Sequence, residues 1–200
     1  MEEHIIPVES IQERDVDLIL LEELSVDNGF CEWLVNEANI PVLTKPIGAW
    51  RSITGYGLGE TDILFSYISE TKKVFVLIEN KLDASFQDEQ FTRYVKRAEK
   101  YEEDNSCDEA RTLLIAPEMY CENQSDFENF VTYENIAKRL EFTGTKRNVF
   151  KSNLLKIASE KLRRGYNPIN SIVVQIFQNL ISRTVMDTLL LFGISKSIFA

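Results

Sequence analysis

The sequence predicts an α/β fold, a central sheet of four to five strands flanked by helices, with extra helices towards the C-terminus. Two observations carry this expectation. Val74-Phe75-Val76-Leu77-Ile78 is a continuous apolar run of the kind found in a central strand covered on both faces. The order of periodic segments is helices, three strands, helix, strand, short strand, helices, which interleaves the two element types as a layered α/β domain does.

Taken in chain order, Asp15 to Leu24 is apolar nearly all round a helical wheel, interrupted only by Asp17, Glu22 and Glu23, so it reads as a mostly buried helix. A second helix is expected from Asn28 to Ala38, with Phe30, Trp33 and Leu34 on one side. Pro41, Pro46 and Gly48 then break the pattern. Trp50 to Leu58 reads as strand and turn, with Gly55, Gly57 and Gly59 suited to a tight hairpin. Asp62 to Ser69 and Lys73 to Leu82 are strands joined by Glu70-Thr71-Lys72. Gln87 to Asp104 is helical, with Phe91, Val95 and Ala98 as its packing stripe. Arg111 to Ala116 returns as a strand that Pro117 stops. Phe130 to Thr132 is a short edge strand leading into a helix from Tyr133 to Leu140. Asn148 to Arg163 is a further helix, and Asn167-Pro168 is a good start for a last one.

Charge is unevenly distributed. The net charge is -10, and residues 1–40 carry all of it, with eleven acids against Arg14; the remaining residues balance. Within that neutral part, Lys138 to Arg164 holds nine bases against Glu141 and Glu160. Such a segment suits either a nucleic-acid-binding element or a solvated helix face. Cys31, Cys107 and Cys121 are odd in number and lack CxxC spacing, so free thiols are expected rather than a disulfide framework or a zinc knuckle. His4 is the only histidine, which excludes a His-based zinc site and a histidine general base. There is no P-loop motif, and no apolar stretch free of polar interruption long enough for a membrane span. Nothing at the N-terminus has the build of a secretory signal, so a cytoplasmic protein is expected.

The chemistry gathers around Asp62, Glu79, Asn80 and Lys81. Side chains two apart on a strand share a face, so Glu79 and Lys81 point one way and Asn80 the other. Asp62 begins the preceding strand, and a tight hairpin sets it beside Glu79. Two carboxylates and a lysine at a sheet end make a divalent-metal site, because Mg²⁺ takes oxygen ligands and keeps several waters. Taken alone, Glu79 and Lys81 also suit a strand-end ion pair. Their position directly after a buried apolar run favours function, since unneeded charge there is costly. Gln90, Tyr94, Arg97 and Tyr101 form one stripe on the following helix, beside its apolar stripe, and Arg97 suits a phosphate.

The stretch Gly59-Glu60-Thr61-Asp62, then Ile78-Glu79-Asn80-Lys81-Leu82-Asp83-Ala84, then Gln90 and Tyr94, resembles the Asp, Glu-x-Lys and Gln-x-x-x-Tyr sequence of the PD-(D/E)xK nuclease superfamily. It is most similar to a bacterial branch with an Ile-Glu-Asn-Lys motif. The likeness extends to the leucine-rich first helix, Ala116-Pro117, Tyr133-Glu134 and Gly165-Tyr166. Thr61 stands where the motif's proline would be.

The resemblance implies a restriction-endonuclease-like core with a mixed sheet. It implies Asp62 and Glu79 as metal ligands, the Asn80 backbone carbonyl as a further ligand, and Lys81 assisting the attacking water. Gln90 and Tyr94 would hold the substrate strand or order the site. An acid from the first helix often joins such sites; Glu23 is favoured over Glu22 as a catalytic residue, with a surface or capping role open for either. The expected activity is Mg²⁺-dependent hydrolysis of phosphodiester bonds, chiefly in DNA, with Mn²⁺ able to substitute. The alternative is a catalytically silent nuclease-fold module that binds nucleic acid or protein in a bacterial defence or repair system.

Residues 1–165 are expected to form the nuclease-like domain, and residues 166–200 a helical extension packed on it. The dense apolar set between Leu189 and Phe199 must pack on the body, join a partner, or stay as an exposed liability, and a shortened chain or a missing domain is a further expectation. A homodimer, or a protein partner met through the acidic N-terminus or this apolar tail, is the accompanying expectation.

Overall fold

The computed structural model describes residues 11–83, 89–123 and 126–164. The helix expected from Asn167 and the apolar tail lie outside them. The chain divides into two compact units, residues 1–163 and 164–200.

The first unit is a mixed five-stranded sheet in the order β1-β2-β3-β4-β5. Helices α1 (Glu13–Val26) and α2 (Asn28–Glu37) precede β1 (Lys45–Thr54), β2 (Glu60–Ser69) and β3 (Lys72–Asn80). Helix α3 (Gln90–Glu103), β4 (Glu109–Ala116), α4 (Glu118–Glu122), β5 (Phe130–Thr132), α5 (Tyr133–Phe142) and α6 (Lys146–Arg164) follow. Strands β1, β2 and β3 pair antiparallel through hairpins, and β3, β4 and β5 pair parallel. The parallel half needs crossovers, which the helices between its strands supply. This is the restriction-endonuclease-like α/β architecture expected of the sequence. Among the described residues no helix is long and apolar enough to cross a membrane.

Strand alternation sorts the core into two layers. Ile63, Phe65, Tyr67, Val74, Val76 and Ile78 join Leu20, Leu34, Ile136 and Leu155 on one face, under α1, α2, α5 and α6. Leu64, Phe75, Leu77 and Leu114 join Tyr94 and Ala98 on the other, under α3. The apolar run of β3 is thus covered on both sides, as its composition requires.

Several elements differ from their sequence reading. Pro46 and Gly48 do not end a segment but lie inside β1. A register shift between them, on a strand at the sheet's edge, accommodates a residue that cannot donate to the ladder. Helix α1 is less uniformly buried than its wheel suggests: Leu18 is 47% exposed, while Asp17 and Glu23 are buried. On α3 the buried face runs through Tyr94, Arg97 and Ala98, and Val95 is only partly covered. The five-residue helix α4 is too short for periodicity to announce. Cys31, Cys107 and Cys121 are free and buried.

Candidate active site

Ile63 faces Ile78 in the antiparallel β2–β3 pairing, so the next step outward sets Asp62 opposite Glu79. Both lie on the α3 side of the sheet, by the same alternation that sends Leu64 and Leu77 there. Asn80 falls on the opposite face. Its side-chain amide donates to Asp17 Oδ1 at 2.8 Å and to the Glu13 carbonyl at 2.9 Å, while Tyr133 Oη donates to its Oδ1 at 2.6 Å. Asp17 is held in turn by Arg51 at 3.0 Å. Asn80 therefore fastens the end of β3 to α1 and α5, and its side-chain polar atoms meet partners although it is fully buried.

On the α3 side, the backbone N–H of Asn80 donates to Asp62 Oδ2 at 2.8 Å. Lys81 Nζ lies 2.9 Å from Glu79 Oε1. Gln90 Nε2 donates to the same Glu79 oxygen at 2.6 Å. Tyr94 Oη accepts the Asp62 N–H at 3.2 Å. Asp62, Glu79, Asn80, Lys81, Gln90 and Tyr94 thus form one connected group. Here Gln90 and Tyr94 contact the acidic residues directly.

Electrostatics in this group are unbalanced towards negative charge. Burial and the Glu79 carboxylate opposite push the Asp62 carboxyl up to about 7, against a smaller opposing effect of the Asn80 N–H. Burial opposes the charge on Lys81, but the adjacent Glu79 outweighs it and the ammonium is raised above its ordinary value. Among the described residues no three His, Cys, Asp or Glu side chains are arranged to hold a metal ion. Two opposed carboxylates nevertheless suit a hard cation that keeps several of its waters. The repulsion that lifts Asp62 is what such a cation would relieve.

The structure does not bring Glu23 into this group. Its Oε1 lies 2.6 Å from Lys151 Nζ, which also lies 2.7 Å from Glu22 Oε2, and Lys151 is itself buried. Glu22 further pairs with Arg147. The α1 acids that reach the group are Asp17, through Asn80, and Glu13, whose Oε1 accepts the Leu82 N–H at 3.0 Å. Burial raises its carboxyl, and Lys81, Glu79 and Asp83 act on it electrostatically. Sequence reasoning missed Glu13 because it began the helix at Asp15. Its spacing of four from Asp17, which puts both on one helical face, was the available signal.

The basic segment is also reassigned. Lys151 is spent on Glu22 and Glu23, Lys156 pairs with Glu141, Lys161 lies 3.0 Å from Asp83, and Arg163 lies 3.5 Å from Glu160. Much of its charge is balanced within the protein, as is that of Asp17, Glu22 and Glu23 in the acidic N-terminal stretch.

A β2–β3 hairpin that brings Asp62 beside Glu-x-Lys at adjoining strand ends, followed by the α3 crossover to parallel β4, defines the class as a nuclease-type α/β fold. A family model of the PD-(D/E)XK nuclease superfamily matches residues 57–178, and the chain belongs to that superfamily. No curated protein and no solved structure matches it.

Proposed function

We propose that this protein is a Mg²⁺-dependent nuclease that hydrolyses phosphodiester bonds, with DNA as its substrate. The observation that carries this reading is the convergence of Asp62, Glu79 and Lys81 at neighbouring strand ends, with Lys81 Nζ 2.9 Å from Glu79 Oε1. Superfamily membership supports it.

Asp62, Glu79 and the Asn80 backbone carbonyl would hold the cation, and Glu13 is the further acid at hand from α1. When bound, Mg²⁺, or Mn²⁺ in its place, supplies charge neutralisation at the phosphate and a more acidic water. Lys81 orients the attacking water and offsets charge that builds on the phosphate during attack. Attack in line with departure of the 3′ oxygen leaves 5′ phosphates. Gln90 and Tyr94 hold Glu79 and Asp62 in register for this, because each bonds to one of the two strand ends.

Incubation of the purified chain with plasmid and with single-stranded DNA, in Mg²⁺, Mn²⁺ or EDTA, tests the proposal. Cleavage in either metal that EDTA abolishes, with 5′-phosphorylated products, is the expected result. Binding without cleavage in every metal would instead favour a catalytically silent nuclease-fold module.

A further inference from the structure

Arg97 is 1% exposed. Its Nη1 donates to the Leu58 carbonyl at 2.8 Å and its guanidinium carbon lies 4.3 Å from the centre of the Tyr94 ring. Its Nε and Nη2 are buried without a hydrogen-bond partner, and the salt bridges among the described residues give it no carboxylate. A buried guanidinium is ordinarily paired with an anion, because its charge is costly to desolvate and its fork matches a carboxylate or phosphate. Burial lowers its proton affinity somewhat, yet an arginine stays charged in proteins. A guanidinium with two unbonded nitrogens and no ion pair among the described residues, eased by the Tyr94 ring and the charge of Glu79, therefore lies just beneath the surface.

What covers it is a glycine. Gly59 is exposed and has a φ of +89°. A Cβ built there would lie 3.5 Å from Arg97 Nη1 and 3.8 Å from Arg93 Nε. The space left by the missing side chain is thus shared by two guanidinium groups. Gly59 also lines a hollow formed with Thr54, Gly55, Tyr56 and Gly57. The turn is held in place by Leu58 N–H on the Gly55 carbonyl, and by Tyr56, which meets the Tyr101 ring and bonds Asp104.

We propose that Gly59, Arg93 and Arg97 form a phosphate-binding subsite for the nucleic-acid backbone, separate from the scissile position. The inference rests on the nuclease reading. An anionic oxygen seated against Gly59 comes within reach of Arg93 Nε and of the second hydrogen on Arg97 Nη1, and it answers the buried charge behind it. Placement fits one continuous strand. Gly59 precedes Asp62 by three residues, at most about 10 Å along an extended chain. Arg97 follows Gln90 by seven residues of α3, about 10 Å along the helix axis. Both elements therefore keep the subsite within about 10 Å of Asp62 and Gln90, on the Tyr94 side of the metal-site group. That places it at a phosphate near the one cleaved. Such a contact positions the strand and carries no base preference.

The test is binding of a short oligonucleotide in Ca²⁺ by the full chain. A series in which each phosphate in turn is replaced by an uncharged methylphosphonate is measured with the native protein, Arg97→Gln, Arg97→Lys and Arg93→Gln. The native protein is expected to lose about tenfold affinity at one flanking phosphate. Arg97→Gln should weaken binding to the unmodified strand by a similar factor and become insensitive to that replacement. Arg97→Lys should recover part of the loss. Because Arg93 is only partly buried, Arg93→Gln gives the same positional readout in a variant that leaves the core intact. If the variants bind and cleave but keep the native positional profile, the subsite is overturned and the nuclease reading stands. If the native protein neither binds nor cleaves the strand, the nuclease reading fails and takes the subsite with it.

Discussion

The backbone N–H of Asn80 donates to Asp62 Oδ2 at 2.8 Å, which ties the second strand's acid to the residue between Glu79 and Lys81. That single bond does not offset the burial and the facing Glu79, and Asp62 titrates at about 7. A carboxyl whose folded pKa lies above its unfolded value favours the folded state fully below about pH 4. That contribution is lost as pH rises through about 7.

It follows that metal-free native protein loses stability across that window, and that Asp62→Asn, which cannot ionise, loses less. Urea unfolding in EDTA at about pH 5 and about pH 8 reads this directly, with the variant gaining more on the native protein at the higher pH. Mg²⁺ should protect native protein more at about pH 8 than at about pH 5, because ligands bind metal deprotonated. An equal effect of Asp62→Asn at both pH values would remove the unbalanced carboxylate pair from the account.

Asn80 also anchors the site from behind. Tyr133→Phe deletes the donor to Asn80 Oδ1 in a fully buried setting and should cost about 1–3 kcal/mol of stability. Asn80→Leu removes the donor to Asp17 Oδ1 and to the Glu13 carbonyl as well as the acceptor of Tyr133, and should cost more. Equilibrium unfolding checks both, and a Tyr133→Phe variant as stable as the native protein would mean that water or a shifted side chain replaces the bond.

The Glu22–Glu23–Lys151 cluster gives a different kind of expectation. Lys151→Met leaves two carboxylates without their buried partner and should cost about 3 kcal/mol or more. Salt dependence of DNA binding should not change, since a lysine enclosed by two acids neutralises no phosphate. Glu23→Gln should likewise leave the cleavage rate per folded molecule unchanged. A shallower salt slope for Lys151→Met at unchanged melting temperature would return this helix to the nucleic-acid surface.

What could be read from the sequence depended on how local the signal was. The run Val74 to Ile78 announces a central strand, and period-two alternation beyond it puts Glu79 and Lys81 on one face and Asn80 on the other. The short turn between β2 and β3 then places Asp62 opposite Glu79. Those inferences need only neighbours in the chain. The partners of Glu23, Asp17 and Asn80 come from elements far away in sequence, and a helix wheel carries no information about them. Basic residues on α6 look alike whether they face water, phosphate or Glu22 and Glu23. Pro46 was read as a breaker because edge position, which makes it tolerable, is a property of the whole sheet. Arg97 was expected on an open polar stripe, and only packing under the Gly55–Gly59 turn shows that it is buried.

The most direct test of the central claim is single-turnover cleavage of DNA by Lys81→Ala in Mg²⁺, at a temperature where the variant is folded, beside its DNA affinity in Ca²⁺. If Lys81 acts on the attacking water and the developing charge, its loss appears in the transition state. Cleavage should fall by about 10² or more while affinity changes little. If Lys81 only balances Glu79, the folded variant binds and cleaves as the native protein does, and any deficit tracks its melting temperature. Native-like cleavage by folded Lys81→Ala would contradict the catalytic assignment.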